Sequence, residues 1–272
     1  MTAHTADPQN HLTLLGRLNH ARIWLNNHLA QRVGGCALCG ADTRHSALSV
    51  RICTACAQAI PHSLIAPERS HRCAQCAHLL PSGDPLCGDC LSAPPAFTHS
   101  VVFGDYAGTL QHALLQYKFH NALHLAPLLA DCLQQALRAY AQTHQPDLIM
   151  LVPALPQRTQ ARGFNHLRLL IQQIDLRTLW PNATPHYAPD ALVRVHHDQL
   201  QVHVKPEQRR TQVKNAFALG EPIDLNHRHI LLIDDIITTG ATLNELAHLL
   251  QKHGARHVDN VLIARTPKAA NK

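Results

Sequence analysis

Eight cysteines between Cys36 and Cys90 fall into four C-x-x-C pairs: Cys36/Cys39, Cys53/Cys56, Cys73/Cys76 and Cys87/Cys90, with 13, 16 and 10 residues between them. A C-x-x-C turn offers two thiolates from one knuckle, and zinc takes four soft ligands in a tetrahedron. Four knuckles therefore predict two four-cysteine zinc sites with nothing left over. Three pairings of the knuckles are open. Consecutive pairing closes the shortest loops and costs least entropy, which favours Cys36, Cys39, Cys53 and Cys56 on one ion. Cys73, Cys76, Cys87 and Cys90 then hold the other. Such sites staple a segment too short for a core of its own; direct ligand binding is the alternative. His45, His62, His71 and His78 lie in the same stretch as spare ligands. The ninth cysteine, Cys132, sits in an apolar helical run and reads as a small buried hydrophobe.

The second chemical signature runs from Ile230 to Leu243. Ile230, Leu231, Leu232 and Ile233 lead into Asp234 and Asp235; Ile236 and Ile237 then precede Thr238, Thr239, Gly240, Ala241 and Thr242. This reads as a buried strand ending in two carboxylates, a short Thr/Gly loop, and a helix. Leu243, Leu246, Ala247 and Leu250 line one face of that helix, which stops at Gly254. Ligands of open parallel sheets bind beyond the carboxyl ends of the strands, where this loop lies. Backbone N–H groups from Thr238 to Thr242 can cradle a phosphate monoester at the helix start. Gly240 permits positive φ and close approach, and Thr239 and Thr242 donate hydroxyls without adding charge. Asp234 and Asp235 are acceptors suited to sugar hydroxyls beside that phosphate. A 5-phosphorylated ribose fits the array. A nucleotide P-loop is excluded, because no Gly-Lys-Ser/Thr follows a glycine loop.

These residues need a scaffold. The chain has 272 residues, 46% hydrophobic and 15% charged, which suits one main core with a small satellite and argues against disorder. No apolar run approaches the ~20 residues of a membrane helix, and the first ten residues lack the basic start of a secretory signal. The expectation is a soluble, cytoplasmic chain without membrane insertion. Its 23 histidines are scattered and read mostly as solvated side chains. Residues 11–30 have helical spacing. Ser92 to Pro95 form a turn cluster that marks a boundary. Beyond it, strands are expected at 101–103, 148–152, 230–233 and 261–264, and helices at 108–118, 123–141 and 165–178. Such alternation with continuous apolar strands predicts an α/β domain with a parallel sheet. The formal charge of +6 counts thiols as neutral; eight thiolates around two Zn²⁺ contribute −4 and lower it to +2. Residues 96–272 hold 17 basic and 13 acidic side chains against 7 and 5 before them, so a footprint for phosphates belongs to the C-terminal part.

The segment from Ile230 resembles the phosphoribosyl-pyrophosphate (PRPP) signature of type I phosphoribosyltransferases: four apolar residues, two acids, two variable positions, Thr-Thr-Gly-x-Thr. The four knuckles, Cys87 to Leu91 with Pro94 and Pro95, and Tyr117-Lys118-Phe119 extend the resemblance. So do Val152-Pro153, Arg162-Gly163-Phe164-Asn165, Gln201, Arg209-Arg210 and Asn215-Ala216-Phe217. From Cys36 to Arg265 the chain is similar to the ComF/GntX family of competence and DNA-utilisation proteins. That resemblance implies a type I phosphoribosyltransferase-like parallel sheet flanked by helices over residues 96–272. A double zinc-knuckle, zinc-ribbon-like module over 31–95 and a helical segment over 1–30 would precede it. Asp234 and Asp235 become catalytic residues. Thr238, Thr239, Gly240, Ala241 and Thr242 bind the phosphoribosyl group, and Arg158, Arg162 and Gly163 the pyrophosphate. Lys118, Arg209 and Arg210 are further basic groups, some on a flap over 196–214. The chain departs from the family pattern at His166, where glutamine is usual, at Gln212, often asparagine, and at Pro156 and Gln157.

Two functions follow from the resemblance. In one, PRPP with Mg²⁺ is the substrate, the aspartates favour a cationic sugar, and Asp235 serves as a base toward an acceptor that no residue identifies. In the other, the fold is a non-catalytic scaffold or sensor that handles single-stranded DNA together with DNA-uptake helicase or translocation proteins. Lys205, Arg209, Arg210 and Lys214 are then the candidate DNA-facing stripe, while aromatics at 4% offer few stacking platforms.

Overall fold

A strand that is apolar on both faces needs cover on both faces. The computed structural model describes residues 35–36, 38–41, 53–60, 71–81, 83–195 and 216–268, the side chains at 57, 158, 161 and 162 excepted. The helix expected over 11–30 and the basic flap lie outside these described residues. In chain order the elements are α1 (Thr54–Ala59), α2 (Gly88–Ser92), β1 (His99–Asp105), α3 (Gly108–Phe119), α4 (Ala126–Ala141) and β2 (Leu148–Leu151). There follow α5 (Pro156–Arg162), α6 (His166–Ile171), β3 (His186–Tyr187), β4 (Leu192–Arg194), β5 (Phe217–Leu219), β6 (His229–Ile237), α7 (Ala241–Lys252) and β7 (His257–Arg265).

Five strands form a parallel sheet in the order β1-β7-β6-β2-β3. Period-two alternation divides its side chains between two cores. Ile149, Leu231, Ile233, Val261 and Ile263 face α3, α4 and α6, where Leu114, Leu133, Leu137 and Leu170 are buried. Met150, Ile230, Leu232, Val258 and Leu262 face α7 and its Leu243, Leu246 and Leu250. Cys132 is buried in the first core, as its apolar surroundings imply. Among the described residues, no helix is long and apolar enough to cross a membrane. β4 and β5 pair antiparallel on either side of residues 196–215.

Two departures have local causes. The helix expected over 165–178 stops at Ile171, and a single 3-10 turn follows at Leu176–Thr178. Asp175 starts that turn by accepting the Arg177 N–H at 3.0 Å, an interaction with which aspartate competes against a continuing helix. After β2, Pro156 opens a short helix in a stretch for which periodicity predicts no element, since proline is pre-set for the first helical turn.

The cysteine-rich segment lies against the sheet edge. Ser100 of β1 donates its N–H to Ala74 O at 2.9 Å. Arg72 pairs with Asp105 at 2.9 Å and donates to Ala77 O at 2.8 Å. Ala77 is buried in the α7 core, and Cys36 and Ile60 reach the opposite one.

The helix after the Thr/Gly turn ends in a left-handed glycine cap. Gly254 N–H donates to Gln251 O and Ala255 N–H to Leu250 O, at 3.0 and 3.1 Å, with Gly254 at φ 100°. A Cβ there would lie 2.5 Å from Asn226 Oδ1. Gly254→Ala is expected to lower stability by at least ~1 kcal/mol, read as a reduced denaturant midpoint at unchanged slope. Wild-type stability would show that the cap tolerates a side chain.

Candidate functional site

The two acids at the end of β6 point to opposite faces because successive strand side chains alternate. Asp235 is buried, and both of its partners converge on Oδ2. Lys118 Nζ, from the last turn of α3, lies 2.6 Å away, and His166 Nε2, from the start of α6, lies 2.5 Å away. Asn165 caps α6 by accepting the N–H groups of Leu167 and Arg168, which sets where His166 begins. Tyr117, fully buried, donates its hydroxyl to the His166 carbonyl at 2.9 Å. Adjacent residues of α3 thus fix the backbone and the charge partner of the same site. Since an ionised carboxylate only accepts, His166 donates from Nε2.

Burial alone would raise the Asp235 carboxyl, but Lys118 and then His166 outweigh it and hold it far below the carboxylate range. Asp234 behaves oppositely. Its burial and the neighbouring Asp235 charge push it up to about 8, against weaker opposing effects of Lys118 and the Asp235 N–H. Asp234 Oδ1 accepts that N–H at 2.8 Å. Two adjacent acids therefore differ in protonation near neutral pH.

Beyond them the chain turns through Thr238 and Thr239, both exposed, to Gly240 at φ 77° and ψ 1°, which starts α7. Left-handed φ is the reason for glycine here. A Cβ would meet nothing closer than Phe97 at 3.6 Å, so close packing does not demand it. Thr239 Oγ1 accepts the Ala241 N–H at 3.3 Å, and Thr242 lies in the first turn of α7. Arg265, at the end of β7 and 3% exposed, lies behind this turn. Its Nη1 donates to the carbonyls of Ile237 and Thr238.

Of the expected anion ligands, Gly163 ends α5 in the left-handed conformation, three residues before His166. The side chains of Arg158 and Arg162, and all of Lys205, Arg209, Arg210 and Lys214, lie outside the described residues. Lys118 is brought to Asp235. Reasoning from sequence missed Arg265, whose signal was a cation directly after the apolar run Val261 to Ala264. It also noted His166 only as a departure, without placing it on the acidic pair.

The eight cysteines gather as consecutive pairing predicts. The sulfurs of Cys36, Cys39, Cys53 and Cys56 lie within 4.8 Å of one another, as do those of Cys73, Cys76, Cys87 and Cys90. Cys39–Cys53 and Cys76–Cys87 are each 3.6 Å apart, close to the edge of a tetrahedron with ~2.3 Å metal–sulfur bonds. Backbone N–H groups point at sulfur from Leu38, Cys56 and Cys87. Burial and the neighbouring thiols push Cys76 up to about 11 and Cys90 higher; a divalent cation relieves that crowding of charge. Each cluster thus fits a metal ion.

Residues 191–271 match the family model described as the phosphoribosyl transferase domain. Over 222 residues the chain is 35% identical to the DNA utilization protein YhgH of Salmonella typhi, covering 79% of this chain and 90% of that protein. Over 197 residues it is 34% identical to Competence protein F of Haemophilus influenzae, covering 71% of this chain and 84% of that one. A solved hypoxanthine phosphoribosyltransferase from Staphylococcus aureus aligns with 54% of this chain and 70% of its own, at 13% identity and a TM-score of 0.32.

The two acids should respond differently to neutralisation. Asp235→Asn leaves the half-buried Lys118 and the buried His166 without their carboxylate and should cost about 3–5 kcal/mol at neutral pH. Asp234 is raised in the folded state, so between its unfolded value of 3.8 and about 8 the native protein binds the extra proton. Its contribution to stability therefore falls as pH rises through that window. Asp234→Asn removes the effect, and its melting temperature should exceed wild type by more at pH 8 than at pH 5. Parallel melting profiles for Asp234→Asn and wild type would refute the split.

Proposed function

We propose that this chain, which belongs to the ComF family, binds PRPP with Mg²⁺ at the end of β6 and serves in DNA uptake or DNA utilisation. One observation carries the ligand assignment: two adjacent carboxyls near the end of β6, one of them held by Lys118 and His166, stand a few residues before a left-handed glycine turn that opens α7. The amides from Thr238 to Thr242, with the hydroxyls of Thr239 and Thr242, take the 5-phosphate at the positive end of that helix. Asp235 offers Oδ1 to a ribose hydroxyl, since Lys118 and His166 occupy Oδ2. Asp234 takes the neighbouring hydroxyl. Arg158, Arg162 and Gly163 receive the pyrophosphate, with Arg209 and Arg210 as further cationic groups.

The proposed reaction is phosphoribosyl transfer. An acceptor nucleophile bonds the anomeric carbon as its bond to pyrophosphate breaks, and pyrophosphate leaves with the electron pair. The ionised Asp235 favours the cationic sugar, and the arginines offset charge on the leaving group. In its ionised form Asp234, raised to about 8, is a stronger base toward an incoming amine than the depressed Asp235. Positioning supplies much of the catalysis. Bound Mg²⁺ would neutralise pyrophosphate oxygens and keep several waters; Asp234, once ionised, would be a hard oxygen donor beside the loop. The two cysteine clusters hold structural zinc.

Relatives named for competence and DNA utilisation support placing the activity where transforming DNA is taken up or consumed, with single-stranded DNA and helicase or translocation proteins as partners. A non-catalytic DNA-handling scaffold is the competing reading.

Calorimetric titration of the full chain with PRPP and Mg²⁺ should give saturable 1:1 binding. Asp234→Asn combined with Thr239→Val should weaken it at least about tenfold, ~1.4 kcal/mol, without loss of fold. If single-stranded DNA binds and PRPP does not, the scaffold reading replaces the enzymatic one. Elemental analysis should find two zinc atoms per chain; fewer would leave one cluster without its assigned metal.

A further inference from the structure

A guanidinium buried to 3% exposure at the end of a parallel strand needs partners on every side. Arg265 finds them in two directions, for Nη1 and Nη2, while its buried Nε has none among the described residues. Nη1 donates to the carbonyl of Ile237 at 2.9 Å and to that of Thr238. Nη2 faces His78 Nδ1 at 3.1 Å, and the same His78 nitrogen lies 3.5 Å from Cys76 Sγ. Arg265 never ionises away its charge, so Nδ1 of His78 is the acceptor.

The first contact has a geometric consequence. In a regular strand, consecutive carbonyls point to opposite sides, yet those of Ile237 and Thr238 both turn toward one nitrogen. In a planar trans peptide the N–H points opposite to the carbonyl. The N–H groups of Thr238 and Thr239 are therefore both turned away from Arg265, on the side where the loop is exposed. Successive N–H groups facing one side form an anion-binding concavity. The second contact ties the same side chain to the cluster of Cys73, Cys76, Cys87 and Cys90. Four thiolates around Zn²⁺ carry a net −2, the counter-charge that makes a buried guanidinium tolerable there.

We infer that Arg265 is a positioning residue for the phosphate loop, and that through His78 it couples ligand binding at Thr238–Thr239 to metal occupancy of the second cysteine cluster. The inference rests on the PRPP reading of that loop. His78 belongs to the turn of the Cys73–Cys76 knuckle, its carbonyl accepting the Cys73 N–H at 2.8 Å. Loss of the metal frees that turn, withdraws a partner from Arg265 and loosens the Thr238 carbonyl, whereas Ile237 O also accepts the Thr266 N–H at 3.0 Å. Among the described residues, the first cluster, Cys36 to Cys56, makes no such bridge and is the internal control.

Linkage makes the coupling measurable from either end, because a ligand that tightens metal binding must itself be tightened by the metal to the same degree. With zinc-loaded full-length protein, equilibrium competition against a chromogenic chelator reads zinc affinity with and without saturating PRPP and Mg²⁺. Cys39→Ser identifies the first cluster's share of the signal. PRPP should tighten zinc at the second cluster at least about fivefold and leave the first unchanged. His78→Ala should keep both metals and the melting temperature, retain PRPP binding, and bring the coupling factor to about one. His78→Asn, which returns an acceptor oxygen near the Nδ1 position, should restore it. Arg265→Lys should weaken PRPP at least about tenfold, ~1.4 kcal/mol; if that variant does not fold, the wild-type and His78 measurements still decide. PRPP binding with identical zinc affinity in its presence and absence overturns the coupling and leaves the PRPP site standing. Full coupling in His78→Ala overturns the route through His78. Failure of PRPP to bind the wild type overturns the PRPP site and this inference together.

Discussion

One buried carboxylate organises the site. Asp235 could not remain ionised at the end of an apolar strand without opposite charge, and the fold delivers two donors to a single oxygen of it, at 2.6 and 2.5 Å. Those donors come from the end of α3 and the start of α6, so one ion-pair network clamps three segments distant in sequence. The energetic weight of such a network lies less in net stability than in the penalty for any arrangement that leaves one member unpaired. The geometry around β6 is specified for that reason, and the Tyr117–His166 hydrogen bond adds a second tie between the same two helices.

The charge state of Asp234 follows from that of Asp235. Two adjacent carboxyls on a strand end cannot both ionise cheaply, and the one with cationic partners takes the charge. Its neighbour keeps a proton to about 8. The loop that follows is shaped from two sides. The α7 N-terminus and the left-handed Gly240 present amides, while Arg265 holds the carbonyls behind them. Because Arg265 also faces His78, the cysteine-rich segment is continuous with the site rather than a distant appendage. The Ser100–Ala74 and Arg72–Asp105 contacts extend that continuity along β1.

Much of this was legible from residue order alone. Apolar runs at 148–152, 230–233 and 261–264 marked strands that the structure contains, and their lack of alternation told of cover on both faces. The α3 and α4 spans matched their helical spacing, apart from a 3-10 turn at Leu123–Leu125 before α4. The helix expected over 165–178 broke because a capping aspartate competes locally, an effect that periodicity does not register. The strands ran longer than their apolar cores, β6 continuing through both acids to Ile237. Ladder hydrogen bonds depend on the neighbouring strand and not on the polarity of each residue.

Sequence by itself determined the chemistry available: eight thiols in four knuckles, two adjacent acids, a Thr/Gly turn, and a helix beginning after it. Local spacing suffices for these because each is made within a few residues by turn geometry or strand alternation. Only the tertiary structure decided which knuckles share a cluster, which acid is charged, and where Lys118 and His166 act. Those outcomes depend on pairings across 69 residues for His166 with Asp235 and 187 for His78 with Arg265. Burial sets the strength of such contacts, and burial is a property of the assembled core.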